Sequence, residues 1–151
     1  MVKRIALGVF ALLVVVQLVP YGRSHANPPV KRGVHWDSAR TEALFKQACQ
    51  DCHSNLTNWR WYDSIAPGSW LVQHDVEDGR RRLNVSEWDQ PQPGIHEIER
   101  AILGGKMPPI QYTIVHSAGR LSQSERQQLA RGMAATYKKD APRIQSRRHG
   151  D

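Results

Sequence analysis

The longest hydrophobic stretch lies at the start of the chain. Ile5 to Val19 is apolar except for Gln17, with Gly8 as its other interruption, and it follows the basic pair Lys3 and Arg4. A short basic segment ahead of such a run is the pattern of an export signal, and Ser24-His25-Ala26 supplies a small-x-small cleavage pattern. The run is at the upper end of a signal peptide's apolar region and below the roughly 17–25 residues of a spanning helix. Residues 1–26 therefore read as a signal peptide or an uncleaved membrane anchor, the second with Lys3 and Arg4 on the cytoplasmic side and residues 5–20 as the tether.

Beyond it, Pro28, Pro29 and Gly33 keep the chain extended, and helical spacing begins after Asp37, which reads as an N-cap. Ala39, Ala43, Leu44 and Ala48 form an apolar stripe leading into Cys49, which predicts one helix ending at Cys49–His53. Pro67 opens a second helix through Ser69, Trp70, Leu71 and Val72 towards Leu83, with Gly79 weakening its middle. After the linker Gln90-Pro-Gln-Pro-Gly94, the positions Ile95, Ile98, Ala101 and Ile102 predict a third, stopped by Gly104-Gly105. Lys106 to Gly119 reads as an irregular loop, and Ser122-Gln-Ser-Glu125 is a capping box that starts a last helix through Leu129, Met133 and Tyr137. There is no convincing strand alternation and no repeat. The expected fold is all-α, about four short helices with long loops, preceded by the apolar N-terminal helix.

Length and charge narrow this further. The 151 residues suit one folded domain, placed at residues 27–140, followed by a basic, disordered tail at 141–151. The net charge of +7 is largely peripheral: without residues 1–26 there are 18 cations against 14 anions, and without the tail as well there are 15 against 13. No basic stripe with interleaved aromatics remains, so nucleic acid is not an expected partner.

The chemistry concentrates at Cys49-Gln50-Asp51-Cys52-His53, a C-x-x-C-H pattern holding the only two cysteines. On one helix these three side chains fall within about 100° of arc. Two thiols can then form thioethers with the vinyl groups of one haem while the imidazole reaches the iron. A thioredoxin-like pair belongs at a helix start after a strand, whereas this motif ends a helix, and a zinc site lacks two further ligands. Haem c, one per chain, is the expected cofactor. It would also give short helices and long loops, with 11 glycines and 9 prolines, an apolar plate to pack on, edged by the five tryptophans.

The candidates for a second axial ligand are Met107, Met133, His35, His74, His96 and His116. Met107 sits in the constrained loop Gly104-Gly-Lys-Met-Pro-Pro109, 54 positions after His53, while Met133 has the helical spacing of core filling. With His53 and Met107 as metal ligands the iron has no open position, and electron transfer is favoured over catalysis.

The stretch from Cys49 to Trp59, continued by Trp61-Tyr62, Ile65-Ala-Pro67, Ser69-Trp-Leu71, Asp75-Val76, Gly79-Arg80, Leu83-Asn84 and Ser86-Glu-Trp88, resembles the bacterial haem-binding domain family of small monohaem proteins. The resemblance implies a cytochrome c-like, periplasmic or membrane-tethered domain in which Cys49 and Cys52 are the thioether positions, His53 the proximal ligand and Met107 the distal one. The chain departs from the family pattern at Arg60, Gly68 and Val85. Trp59 and Trp61 are candidate haem-edge residues, and Arg60 a propionate partner. The expected function is one-electron transfer to an unidentified redox partner by a monomer. The alternative is a haem-based sensor or peroxidase-like enzyme with a labile distal ligand.

Overall fold

The computed structural model describes residues 1–145. It is all-α: helices α1 (Val2–Val16), α2 (Ala39–Ala48), α3 (Gln50–His53), α4 (Gly68–Arg82), α5 (Ile95–Leu103), α6 (Ile110–Val115) and α7 (Gln123–Lys139), with 3₁₀ turns at Trp61–Ser64 and Ser117–Gly119. Two isolated bridges, Arg32 with Glu87 and Gln92 with Ile144, are the only β pairing among the described residues.

Helices α4, α5 and α7 match the expected elements within a residue or two, because caps and stops are written into the sequence. Ser122 accepts from the Glu125 backbone while the Glu125 carboxylate accepts from the Ser122 N–H. Three features differ from expectation. The cap of α2 is Ser38, not Asp37, whose carboxylate instead accepts from the Thr136 hydroxyl. Helix α2 stops at Ala48 and the motif occupies a separate turn, since Cys49 leaves the helical region at φ −129°. The loop at 106–119 contains α6 and a 3₁₀ turn, which no apolar period announces.

The core lies between α2, α5 and α7, with Leu44, Phe45, Ile98, Ile102, Leu129 and Met133 buried together. Trp88, fully buried from the loop after α4, packs edge-on against Tyr137 at 5.2 Å and donates its indole N–H to the Asp140 carbonyl at 2.9 Å. Where α2 crosses α7, a methyl group on Gly132 would collide with the side chain of Thr41, so glycine sets how closely the two helices approach.

Residues 84–92 are held by polar groups. The buried Gln92 side chain donates to the carbonyls of Asn84, Glu87 and Gln90 and accepts from the Asn84 N–H. Its backbone pairs with Arg143 and Gln145. The segment 141–145, assigned to a disordered tail from sequence, is therefore partly fixed to the domain through main-chain groups that composition does not report. The remainder of that tail, 146–151, lies outside the described residues. No helix among the described residues is long and apolar enough to cross a membrane.

Gly132→Ala should lower the unfolding free energy by about 1–3 kcal/mol through overpacking. Gly68→Ala, where an added methyl meets nothing within 4 Å, should leave it unchanged or slightly raised. Paired denaturant titrations check both.

Candidate functional site

The motif turn is built by local hydrogen bonds. The N–H groups of Cys52 and His53 both donate to the Cys49 carbonyl, at 3.2 and 2.9 Å, which closes one helical turn around the three functional residues. Asp51 anchors the following loop: its carboxylate accepts from the Asn58 N–H, the Arg60 guanidinium and the Tyr112 hydroxyl. Its carbonyl accepts from the Thr57 hydroxyl at 2.6 Å.

Helix α4 then locks this turn from one side. A methyl group at Gly79 would run into the Cys52 carbonyl, so the two backbones meet at a distance only glycine permits. The contact aims two carbonyls, one in α4 and one at its C-cap, at the imidazole: His53 Nδ1 lies 3.1 Å from both the Gly79 and Leu83 oxygens. Carbonyls only accept, so Nδ1 carries the proton and Nε2 holds the free lone pair. Burial keeps the His53 pKa below its ordinary value, against the opposing pull of those carbonyls, and the ring stays neutral at neutral pH.

The thiols are protonated too. Burial, together with the neighbouring Cys52, pushes Cys49 up to about 12. Burial, then the carboxylates of Asp75 and Asp51, pushes Cys52 up to about 12. Both cysteines are free. Such thiols lack the lowered pKa on which disulfide exchange relies, which weighs against a thioredoxin-like role.

Two of the cavities that touch the motif are lined by both His53 and Met107. One of about 120 Å³ is lined by Cys49, Cys52, His53, Asp75, Met107 and Tyr112. Another of about 680 Å³ is lined by Cys49, His53 and Met107 together with apolar Phe45, Leu83, Ile98, Ile102 and Met133 and the cations Arg82, Arg100 and Lys106. The structure thus brings Cys49, Cys52, His53 and Met107 to the same space. Haem fits this setting: an apolar plate suits the aliphatic and aromatic walls, its two carboxylates suit the three cations, and a neutral imidazole and a thioether are iron donors.

Other sequence candidates fall elsewhere. Trp59 stacks on His25 at 4.7 Å and donates to Asn27, and Trp61 is exposed against the edge of Tyr62. None of the five tryptophans lines either of these cavities, and the structure does not bring Trp59 and Trp61 together with Cys49, Cys52, His53 and Met107: after Asn58 the chain follows Asp51. Arg60 is committed to Asp51. His35 pairs with Asp140, His96 with Glu99, and His116 with Tyr62, while His74 is exposed. Met133 is fully buried on α7.

Sequence reading missed the support of the Met107 loop. Arg126, one turn into α7, donates through one nitrogen to the carbonyls of Ile102 and Met107, at 3.1 and 2.6 Å, and the Met107 N–H donates to Ala101. An arginine near the start of a helix gives no such signal in the sequence. Gly79 did leave one, as a glycine inside a helical pattern.

Comparison with known proteins agrees with the site. The chain is 28% identical over 94 residues to the cytochrome c peroxidase Ccp of Escherichia coli (strain K12), a match covering 57% of this chain and 20% of that protein. The chain therefore spans about a fifth of the length of that relative. No solved structure matches. The model of the haem-binding domain family matches residues 11–135, which include the motif turn, α4, the Met107 loop and most of α7, and this protein belongs to that haem-binding family.

Proposed function

We propose that the domain binds one haem c covalently through Cys49 and Cys52, with His53 and Met107 as axial ligands, and moves single electrons in the periplasm. The observation that carries this reading is the fixed tautomer of His53, whose Nε2 is left as a donor beside two thiols and facing the space that Met107 also lines. Each thiol would add its S–H across one vinyl double bond, a step that forms a C–S bond and a C–H bond with no net redox change. The bound group would supply a metal that alternates between two oxidation states.

The protein's part is to hold ligands and exclude water. The Gly79 and Leu83 carbonyls orient the imidazole and raise its basicity, and Arg126 fixes the peptide that carries Met107. A held thioether favours the reduced state and leaves no position for a substrate, which supports a carrier that docks to another redox protein. The basic segment and apolar run at the N-terminus support export of the domain.

The likeness to part of a cytochrome c peroxidase carries a second reading, in which Met107 is displaceable and peroxide reaches the iron. Rapid carbon monoxide binding to the reduced protein would favour it. A slow or absent reaction supports the carrier.

Expressed with a cytochrome c maturation system, the chain should retain a haem stain on a denaturing gel, and Cys49→Ala with Cys52→Ala should abolish it. An unstained wild-type band would overturn covalent attachment. Met107→Ala should remove the weak thioether-to-iron absorption band and speed carbon monoxide binding by at least about tenfold. Arg126→Gln should keep the band while accelerating carbon monoxide binding to a smaller degree, because only the loop is loosened. Stopped-flow absorption measures both, and identical rates in all three proteins would remove Met107 from the iron.

A further inference from the structure

We propose that α1 and the face of the domain beside its exit, formed by Trp61, Ile65, Leu71, Ile110, Ile114 and Val115, make one continuous lipid-contacting surface. The domain then lies against a bilayer rather than hanging free of it. The inference goes beyond the haem reading and does not depend on how haem is attached.

No residue of α1 is buried. The consecutive residues Leu12, Leu13, Val14 and Val15 are 61, 48, 50 and 57% exposed, and four consecutive helical positions point around the whole circumference. A second copy of the chain or a groove on a partner covers one stripe of a helix. A helix that is apolar all round is covered by lipid.

The end of α1 is fixed to the domain. The Gln17 amide donates to the Ala66 carbonyl at 2.8 Å and accepts from the Ala66 N–H at 3.1 Å, so the lone polar residue of the run clamps the turn before α4. Tyr21 reinforces it by donating to Glu77 at 3.1 Å. Ile65, next to the clamp, is 47% exposed, and Trp61, in the preceding 3₁₀ turn, is 78% exposed. Gly68, Leu71, Tyr62 and Val115 line a single cavity of about 210 Å³, so this edge continues onto α6, where Ile110 and Ile114 stand 74 and 66% exposed one turn apart.

Length turns this adjacency into contact. The 15 residues of α1 extend about 22 Å, short of the roughly 30 Å hydrocarbon core. A helix that short holds whatever is clamped to its end at the membrane surface. Tyr21 and Trp61 have the amphipathic rings suited to that depth, and the exposed Arg120, bonded to the Thr113 carbonyl beside Ile114, can meet lipid phosphate.

The full-length haem-loaded protein, reconstituted in phosphatidylcholine vesicles containing phosphatidylglycerol, can be crosslinked with a diazirine placed near the headgroup end of an acyl chain. Tryptic peptides Trp61–Arg80 and Met107–Arg120 should carry lipid adducts several-fold above Gly132–Lys138 from α7, alongside the α1 peptides. Trp61→Ser with Ile114→Ser and Val115→Ser should lower adducts on the first two peptides, leaving those on α1 and the haem absorption spectrum unchanged. Adducts confined to α1, as when a second copy or nothing at all covers the face, would overturn the proposal.

Discussion

The site depends on one backbone approach, Gly79 of α4 against the Cys52 carbonyl. Because no side chain separates them, the last two turns of α4 lie directly under the motif turn, and the carbonyls of Gly79 and Leu83 reach the same imidazole nitrogen. The protonation state of His53 follows from that geometry, with burial keeping the ring neutral. A residue with a Cβ at position 79 would move α4 outward and release both the position and the tautomer of the ring.

The surroundings of the motif are polar where they fix the backbone and apolar where a cofactor would lie. On one side, His53 and Asn55 tie the motif turn to 84–86: the Asn84 amide donates to Asn55, the Ser86 hydroxyl accepts from the Asn55 N–H, and the Val85 N–H donates to the His53 carbonyl. Buried side chains so paired specify a unique arrangement of two loops with little regular structure. On the other side Phe45, Leu83, Ile98, Ile102 and Met133 form apolar walls of the larger cavity. The cavity lies beside the core, between α2, α5 and α7 on one side and the Met107 loop on the other, where a planar apolar group would extend that core.

The two candidate axial residues are held by different means. His53 is set within a closed helical turn and a helix packed against it. Met107 belongs to a loop whose position rests on one arginine from α7 and one main-chain bond to α5. Met107 is thus the less firmly held of the two, and in the proposed function Arg126 is the residue that would keep it in place.

Much was legible in the sequence. The all-α class and the ends of α4, α5 and α7 follow from local signals, namely apolar period, Pro and Gly stops, and a capping box, and each acts within a few residues. Proximity of Met107 to the motif also followed, because a loop constrained by Gly104-Gly105 and Pro108-Pro109 between two helices has few places to go. The positions of the tryptophans were not legible, because aromatic content says what can be buried and not where: Asp51 holds residues 57–60, and Trp88 fills the core. The role of Gly79, the tautomer of His53, the arginine behind Met107 and the pairing of 141–145 with Gln92 were decided only by tertiary structure. Each joins groups 19 to 53 positions apart, beyond the reach of any local period.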